Sequence, residues 1–390
     1  MNILLGITGS IAAFKSIELA RLLLKRGHRV IPVLTKNALK FVTPLSLTSL
    51  LNEKVYYDMF EESENKAPLH IRLVRESDLI AVIPATFNFI TKVSIGIADD
   101  LLSLIFHSAN LPKIIAPCMH PTLYHNELLQ NHLLNLEKMG VYIIEPTEGE
   151  MSDLTVGKGR LKEPIELLKE IEFYIEIVNS LKNKKILLTF GRTEEEIDDV
   201  RVITNRSSGR MGLALYKVLK AAGAKLKVFA GKTDFEVPKD VIRLNSTSDF
   251  LEKLKEELTK EEYDALIMCA ALSDFRPKEK VEGKIKKDGR SLKLELEENP
   301  DVLKSLTDLK KKTKFIGFAL EEKPDIETAY KKLKEKNLDL IILNSIKTIS
   351  SDYIDFKIIN KNKEVIDEGE LPKIKAAYRI IKKISELLSQ

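Results

Sequence analysis

The sequence predicts an α/β protein built of two doubly wound parallel-sheet domains, the second carrying an added β-ribbon. Three observations carry that prediction. Short apolar runs alternate with amphipathic helical patterns, the rhythm of βαβ units. The rhythm breaks over residues 146–165 and restarts after a helix that ends near residue 182. The length, 390 residues, suits two or three domains at roughly 100–200 residues each.

In the first half, Asn2–Thr8 reads as a strand, Gly9–Ser10 as a turn and Ile11–Arg26 as an amphipathic helix. Strands follow at Arg29–Thr35 and Asp78–Pro84, then a helix near Asn88–Ala109 and strands at Lys113–Pro117 and Val141–Glu145. Residues 146–165 show no period, and a helix spans about Pro164–Leu181. We place the boundary there, with domains 1–182 and 183–390. The second half offers strands Lys185–Thr189, Lys225–Ala230, Asp264–Ala270, Phe315–Ala319 and Asp339–Leu343. Its helices are Gly209–Ala222, Ser248–Thr259 and Ile326–Lys336, and Ser291–Glu297 and Tyr353–Ile366 read as antiparallel ribbons.

Composition excludes several classes. The 62 basic and 58 acidic residues leave a net charge of +4, without the basic stripe of a dedicated nucleic-acid binder. Two cysteines, Cys118 and Cys269, make no disulfide framework or zinc cluster. No apolar run reaches the roughly 18–20 residues of a membrane span, and the N-terminus lacks the basic flank of a signal peptide. The expectation is a cytoplasmic protein that binds neither nucleic acid nor membrane.

Candidate sites lie where strands end, because open parallel sheets bind ligands at that edge. The turn Gly6-Ile7-Thr8-Gly9-Ser10-Ile11 feeds a helix N-terminus, whose free N–H groups suit a phosphate. It is not GxGxxG, so dinucleotide binding gains little support. Thr86 and Asn88 follow one strand and Pro117-Cys118-Met119-His120 another, and His70 is a candidate general base. In the second half, Asn205–Gly212 is a polar loop opening a helix. Asp274 follows a strand, with Lys284-Ile285-Lys286-Lys287 ten residues on, either a solvated face or a neutralising group for a triphosphate. Asn299-Pro300-Asp301-Val302 is a turn-and-cap signature. Lys332 and Lys336 share a helix face, where like charges repel unless an anion lies between them.

The strings GSIAAFK (Gly9–Lys15), HIRL (His70–Leu73), PATFN (Pro84–Asn88), GIADDLLS (Gly96–Ser103) and PCMHPTLY (Pro117–Tyr124) resemble the motifs of the flavin-containing cysteine decarboxylases. The resemblance covers residues 1–180 and implies a flavoprotein-like first domain of flavodoxin/Rossmann type. It further implies FMN on Gly9 and Ser10 with Thr35, Thr86 and Asn88 nearby, and His70 as the active-site histidine. The flavin would oxidise the thiol of 4′-phosphopantothenoylcysteine, carbon dioxide would leave, and reduction would yield 4′-phosphopantetheine. Two departures stand out. His120 replaces the asparagine of the substrate loop, and alignment on Gly157–Arg160 puts Asp153 where the clamp cysteine, a proton donor, belongs. An aspartate donates a proton only if its pKa is raised well above about 4; Cys118, in the substrate loop, is the other candidate for the missing thiol's role.

Over residues 183–390 the strings NRSSGRMG, AALSDFRP, KIKK, NPDV, GFALEE and KNLDLIILN resemble, in order, the ligase half of the bifunctional phosphopantothenoylcysteine decarboxylase/phosphopantothenate–cysteine ligase family, with a Rossmann-like second domain. The resemblance implies CTP-dependent ligation of 4′-phosphopantothenate with L-cysteine through an acyl-cytidylate. Asn205 would hold that intermediate, with Arg206 at its carboxylate or phosphate. Asp274 would support nucleotide and Mg²⁺, Lys284 would stabilise charge at the α-phosphate, and Asn299, Pro300, Asp301, Val302, Phe318, Lys332 and Lys336 would hold CTP. Arg192 stands where the family has glycine and is a candidate phosphate contact. The family's trimeric flavin domains and dimeric ligase domains imply a homo-oligomer. The rival expectations are an active ligase with a flavin domain acting on another thiol acid, and a flavin domain kept as a binding module.

Overall fold

The computed structural model describes every residue except 61–66, 152, 288–290, 323, 350 and 390. The chain divides into two compact units, Met1–Glu176 and Ile177–Gln390.

The first unit holds a five-stranded parallel sheet of β1 (Asn2–Ile7), β2 (Arg29–Leu34), β3 (Leu79–Ala85), β4 (Lys113–Pro117) and β5 (Tyr142–Ile143), in the order β2-β1-β3-β4-β5. Strand β1 lies between β2 and β3, so the chain reverses its direction of travel across the sheet at the β1/β3 boundary. That switch point is where doubly wound sheets of this order bind ligands. Every residue of β3 is buried, which explains its uninterrupted apolar sequence: a strand covered on both faces has no polar alternation.

The helix expected over Asn88–Ala109 is two helices, Phe87–Ile95 and Leu101–Ser108. Gly96 ends the first in the left-handed conformation (φ 88°), and Asp100 starts the second in a reciprocal capping box with Ser103. Helices Pro44–Leu51, Leu69–Arg75 and Glu127–Lys138 had no expected counterpart. The aperiodic stretch 146–165 contains an antiparallel hairpin of β6 (Thr147–Glu150) and β7 (Val156–Arg160). A Cβ on Gly159 would lie 2.2 Å from Met119 O, and Met119 N donates to Gly159 O at 3.0 Å. The hairpin thus docks backbone to backbone on the loop after β4.

The second unit contains β8 (Lys185–Phe190), β9 (Glu194–Glu196), β10 (Val202–Thr204), β11 (Lys225–Ala230), β12 (Ile242–Arg243), β13 (Ala265–Met268), β14 (Phe275–Pro277), β15 (Leu296–Glu298), β16 (Lys314–Glu321), β17 (Leu340–Ser345), β18 (Tyr353–Asn360) and β19 (Val365–Pro372). Its main sheet runs β12-β11-β8-β13-β16-β17-β18-β19, parallel through β17 and antiparallel at β18 and β19. The ribbon expected from Tyr353 is therefore a hairpin that extends the main sheet. The ribbon expected over Ser291–Glu297 reduces to β15, which pairs with β14. The final helix, Lys373–Leu388, was not expected; it packs on the helix Arg210–Ala221.

Helix Arg210–Ala221 approaches β8 so closely that a Cβ on Gly212 would lie 2.0 Å from Phe190 Cβ. Alanine favours a helix over glycine by about 1 kcal/mol, but overpacking against an immovable Cβ costs about 1–3 kcal/mol, so the clash wins. Gly212→Ala is expected to lower the denaturant midpoint of the second unit; an unchanged or raised midpoint would show that the helix can retreat.

Candidate functional site

In the first unit the carboxyl ends of β1, β3 and β4 carry the polar groups that their buried bodies cannot. Thr8 ties β1 to β3: its hydroxyl donates to Pro84 O at 2.8 Å and accepts from Thr86 N at 3.0 Å. Thr86 in turn caps the helix Phe87–Ile95. Ser10 accepts from Ala12 N at 3.3 Å and donates to Cys118 Sγ at 3.6 Å, joining the β1 turn to the loop after β4. Thr35 N donates to Ile7 O at 3.0 Å. Gly9, Ser10, Thr35, Thr86 and Asn88 all follow the carboxyl ends of their strands, on one edge of the sheet. Ile11 and Phe14, in the turn and first helical residues beyond it, are 64% and 58% exposed. A polar turn with exposed apolar surface beside it fits a flavin mononucleotide.

The structure places His120 beside Asp153, with Nε2 3.3 Å from Oδ2. His120 Nδ1 accepts from Thr122 N at 3.3 Å, so the neutral ring carries its proton on Nε2, facing Asp153. Asp153 corrects an expectation. Bonds from Thr155, with His120 adding charge attraction, hold its carboxyl below the ordinary value, the opposite of what a proton donor needs. Cys118 is buried, and burial pushes its thiol up, with the Ser10 hydroxyl and Lys15 opposing; it stays a protonated thiol at neutral pH. His70 lies in the first turn of helix Leu69–Arg75, and among the described residues no hydrogen bond joins it to the strand-end cluster.

In the second unit, a cavity of about 940 Å³ opens over the carboxyl ends of β13 and β16. Asn205, Arg206, Asp274, Asn299, Pro300, Asp301, Val302, Phe318, Lys332 and Lys336 all line it. The loops are bonded to one another: Ala271 N donates to Gly191 O at 2.7 Å and Ser273 N to Thr193 Oγ1 at 2.9 Å. The Asn205 amide donates to Ala271 O and Leu272 O at 3.1 and 2.9 Å. Asn299 donates through Nδ2 to Ser273 O at 2.9 Å, while its Oδ1 is buried with no partner among the described residues; a ligand donor would satisfy it. Lys332 and Lys336 do not wait for an anion between them. Lys336 pairs with Asp301 at 2.9 Å and Lys332 with Glu321 at 2.5 Å.

Two residues expected to serve phosphate groups are absent from the cavity lining. Lys284 does not line the cavity; it is exposed on the segment Val281–Ile285. Arg192 does not line the cavity either. Its guanidinium donates to Ser207 O at 2.6 Å and pairs with Asp234 at 2.7 Å, fixing the loop that opens the helix at Arg210. Sequence reasoning named Arg210 only as part of the Asn205–Gly212 loop and missed Lys373; both stand on the cavity wall. Burial lowers the Lys373 ammonium pKa, with Arg210 adding to the effect. Among the described residues no three His, Cys, Asp or Glu side chains group as a metal site, so Asp274 would hold a divalent cation only together with ligand oxygens, the usual arrangement for Mg²⁺.

Two family models match the chain: Flavoprotein over residues 1–176 and the DNA/pantothenate metabolism flavoprotein C-terminal domain over residues 181–388. The coenzyme A biosynthesis bifunctional protein CoaBC of Haemophilus influenzae is 37% identical over 88% of this chain and 86% of its own. That of Bacillus subtilis is 35% identical over 100% of this chain and 98% of its own. The solved C-terminal domain of a coenzyme A biosynthesis bifunctional protein CoaBC is 36% identical, covering 54% of this chain and 98% of its own with a TM-score of 0.47.

Lys15, unremarked within its motif, is a buried cation that donates to Leu161 O at 3.0 Å and to Glu163 at 2.9 Å, tying the first helix to the chain just after β7. Leaving Leu161 O unpaired costs about 1–3 kcal/mol. Lys15→Met is therefore expected to lower the thermal midpoint of the first unit; an unchanged midpoint would mean that water replaces the ammonium without loss.

Proposed function

The chain belongs to the bifunctional coenzyme A biosynthesis family, with a flavoprotein decarboxylase-like part and a ligase part, and from that premise we propose how its own residues divide the work. The second unit joins 4′-phosphopantothenate to L-cysteine with CTP and Mg²⁺, through an acyl-cytidylate. The first unit, with FMN, decarboxylates the resulting 4′-phosphopantothenoylcysteine to 4′-phosphopantetheine. The observation that carries the reading is the gathering of ten residues from five separate stretches of chain, Asn205 through Lys336, around one cavity.

A carboxylate is a poor acyl donor, and a nucleotidyl group makes it a good one. Activation builds negative charge at the α-phosphate, which preplaced cations stabilise. Lys332 and Lys336 arrive already oriented by Glu321 and Asp301, so little ordering entropy is lost on binding. Asp274 would share Mg²⁺ with the triphosphate, Phe318 would pack on the nucleotide, and Asn205 and Arg206 would hold the acyl-cytidylate while the cysteine amine attacks. Lys284 serves the α-phosphate from its exposed segment.

In the first unit Gly9 and Ser10 would hold the phosphate of FMN, with Thr35, Thr86 and Asn88 around it. FMN supplies the two-electron chemistry that side chains lack. His120, oriented by Thr122 N–H and Asp153, is the group that returns the last proton, with His70 contributing to the same site in the assembled protein. The exposed Ile11 and Phe14 favour a homo-oligomer whose partner covers them. The place of action is the cytoplasm. A second reading, an active ligase whose flavin unit acts on another thiol acid or only binds, is favoured by one observation: Thr155 N donates to Asp153 Oδ1 at 3.2 Å, which holds the carboxyl below its ordinary pKa where a proton donor is needed.

His120→Ala is expected to leave CTP-dependent ligation intact, to lower 4′-phosphopantetheine formation by about 10²–10⁴-fold, and to accumulate the decarboxylated enethiol. Undiminished 4′-phosphopantetheine would remove His120 from the proton path and point to Cys118.

A further inference from the structure

The exposed segment that carries Lys284 is fastened to the loop between β9 and β10, with a buried carboxylate at the centre of the contact. Asp198 is 1% exposed. Its Oδ1 accepts from Val200 N at 2.8 Å and Arg201 N at 2.7 Å, which bends the loop into a tight turn. Its Oδ2 pairs with the Arg201 guanidinium and accepts from Ile285 N at 3.0 Å. The same guanidinium donates to Ile285 O at 3.4 Å. Both backbone groups of the residue after Lys284 are therefore held by one ion pair, whose carboxylate is buried and whose guanidinium is partly exposed.

Flanking bonds extend the fastening. Val281 N donates to Ile197 O at 3.0 Å, and Asp199 N to Gly283 O at 3.2 Å. Gly283 N donates to Asp199 Oδ2 at 2.9 Å. Lys280 pairs with Glu196 at 2.7 Å and Asp199 at 3.3 Å. Burial by itself would push the Asp198 carboxyl up, but the N–H groups of Ile285, Val200 and Arg201 and the Arg201 charge hold it at about 2. The carboxylate thus stays charged, and the fastening complete, through the whole physiological range.

An exposed surface loop does not need a fully desolvated, multiply bonded carboxylate to hold it. Burying such a group is costly unless every lone pair is answered, and here the answers come from the strap itself. We propose that Asp198 is a positioning residue for ligation: its ion pair with Arg201 is the latch that fixes the Val281–Ile285 strap and so sets where Lys284 presents its ammonium. The proposal rests on the reading of Lys284 as the group that serves the α-phosphate. It assigns Asp198 no contact with substrate.

The test uses the full-length protein and two readouts. Trypsin cleavage at Lys284, Lys286 and Lys287 without nucleotide reports the strap directly. Asp198→Asn is expected to speed cleavage there severalfold, with cleavage elsewhere unchanged. The second readout is a double-mutant cycle on kcat for ligation. Misplacing a catalytic group by about an ångström costs on the order of 10²-fold, so Asp198→Asn is expected to lower kcat by up to that factor. In a Lys284→Ala background the same substitution is expected to cost nothing further. Equal losses in both backgrounds, or unchanged cleavage, would overturn the latch. Full activity of Lys284→Ala alone would instead sink the role of Lys284, and the cleavage rates would then decide the latch by themselves. Gly283→Ala serves as a second variant that leaves the buried carboxylate untouched. Its Cβ meets nothing within 4 Å, but φ is 75°, so it strains only the strap, and the same two signatures are expected from it.

Discussion

A parallel strand covered on both faces can hold no polar chemistry along its length, and that constraint arranges everything functional in this protein. Strand β3 is buried throughout, and its first polar side chain, Thr86, comes one residue past its end. Strand β13 is likewise wholly buried, and the cavity wall begins at Met268 and continues through Asp274. Both units therefore collect their hydrogen-bonding and charged groups at the carboxyl edges of their sheets, where neighbouring loops meet. The two sites differ in what fills that edge. The first combines a phosphate-type turn with exposed apolar side chains; the second gathers cations and amides around a large cavity.

What keeps those loops in place is mostly backbone. The hairpin of the first unit touches the loop after β4 through Gly159 and Met119 O, and that contact brings Asp153 beside His120. In the second unit the Gly191–Thr193 turn holds the loop after β13, and Arg192 holds the Ser207 carbonyl. These are bonds between fixed groups, so a site residue inherits its position from strands several residues away. Ion pairs then trim the orientation of long side chains, as Asp301 does for Lys336. This division of labour suits catalysis by preplaced charge, because groups that are already oriented need not reorganise as charge develops.

Much of the fold was legible because its dominant signals are local. Apolar runs of the right length marked ten of the sheet strands in place, and the glycine and serine turns marked the loops at their ends. The misses have physical reasons. Thr147–Glu150 and Val156–Arg160 form a hairpin without any apolar alternation, since its packing is backbone against backbone and glycine supplies no hydrophobic signature. Gly96 and Asp100 divided a continuous apolar pattern that periodicity alone reads as one helix. The second-unit residues were legible as motifs, yet no motif shows that Lys284 stands outside the cavity or that Asp198 is its anchor. An Asp-Asp pair in a polar loop reads as solvated, yet Asp198 is buried where it meets Ile285. The pairing of His120 with Asp153 spans two loops 33 residues apart in sequence, a proximity that spacing does not encode.

The central claim is that both halves work on one substrate, the second unit making the amide that the first unit decarboxylates. The most direct measurement gives the purified full-length protein, loaded with FMN, 4′-phosphopantothenate, L-cysteine, CTP and Mg²⁺, and follows every phosphopantothenoyl species by mass spectrometry. The expected result is 4′-phosphopantetheine, formed after a transient of 4′-phosphopantothenoylcysteine. Accumulation of 4′-phosphopantothenoylcysteine as the end product would contradict the claim and leave a ligase beside a flavin unit that acts elsewhere.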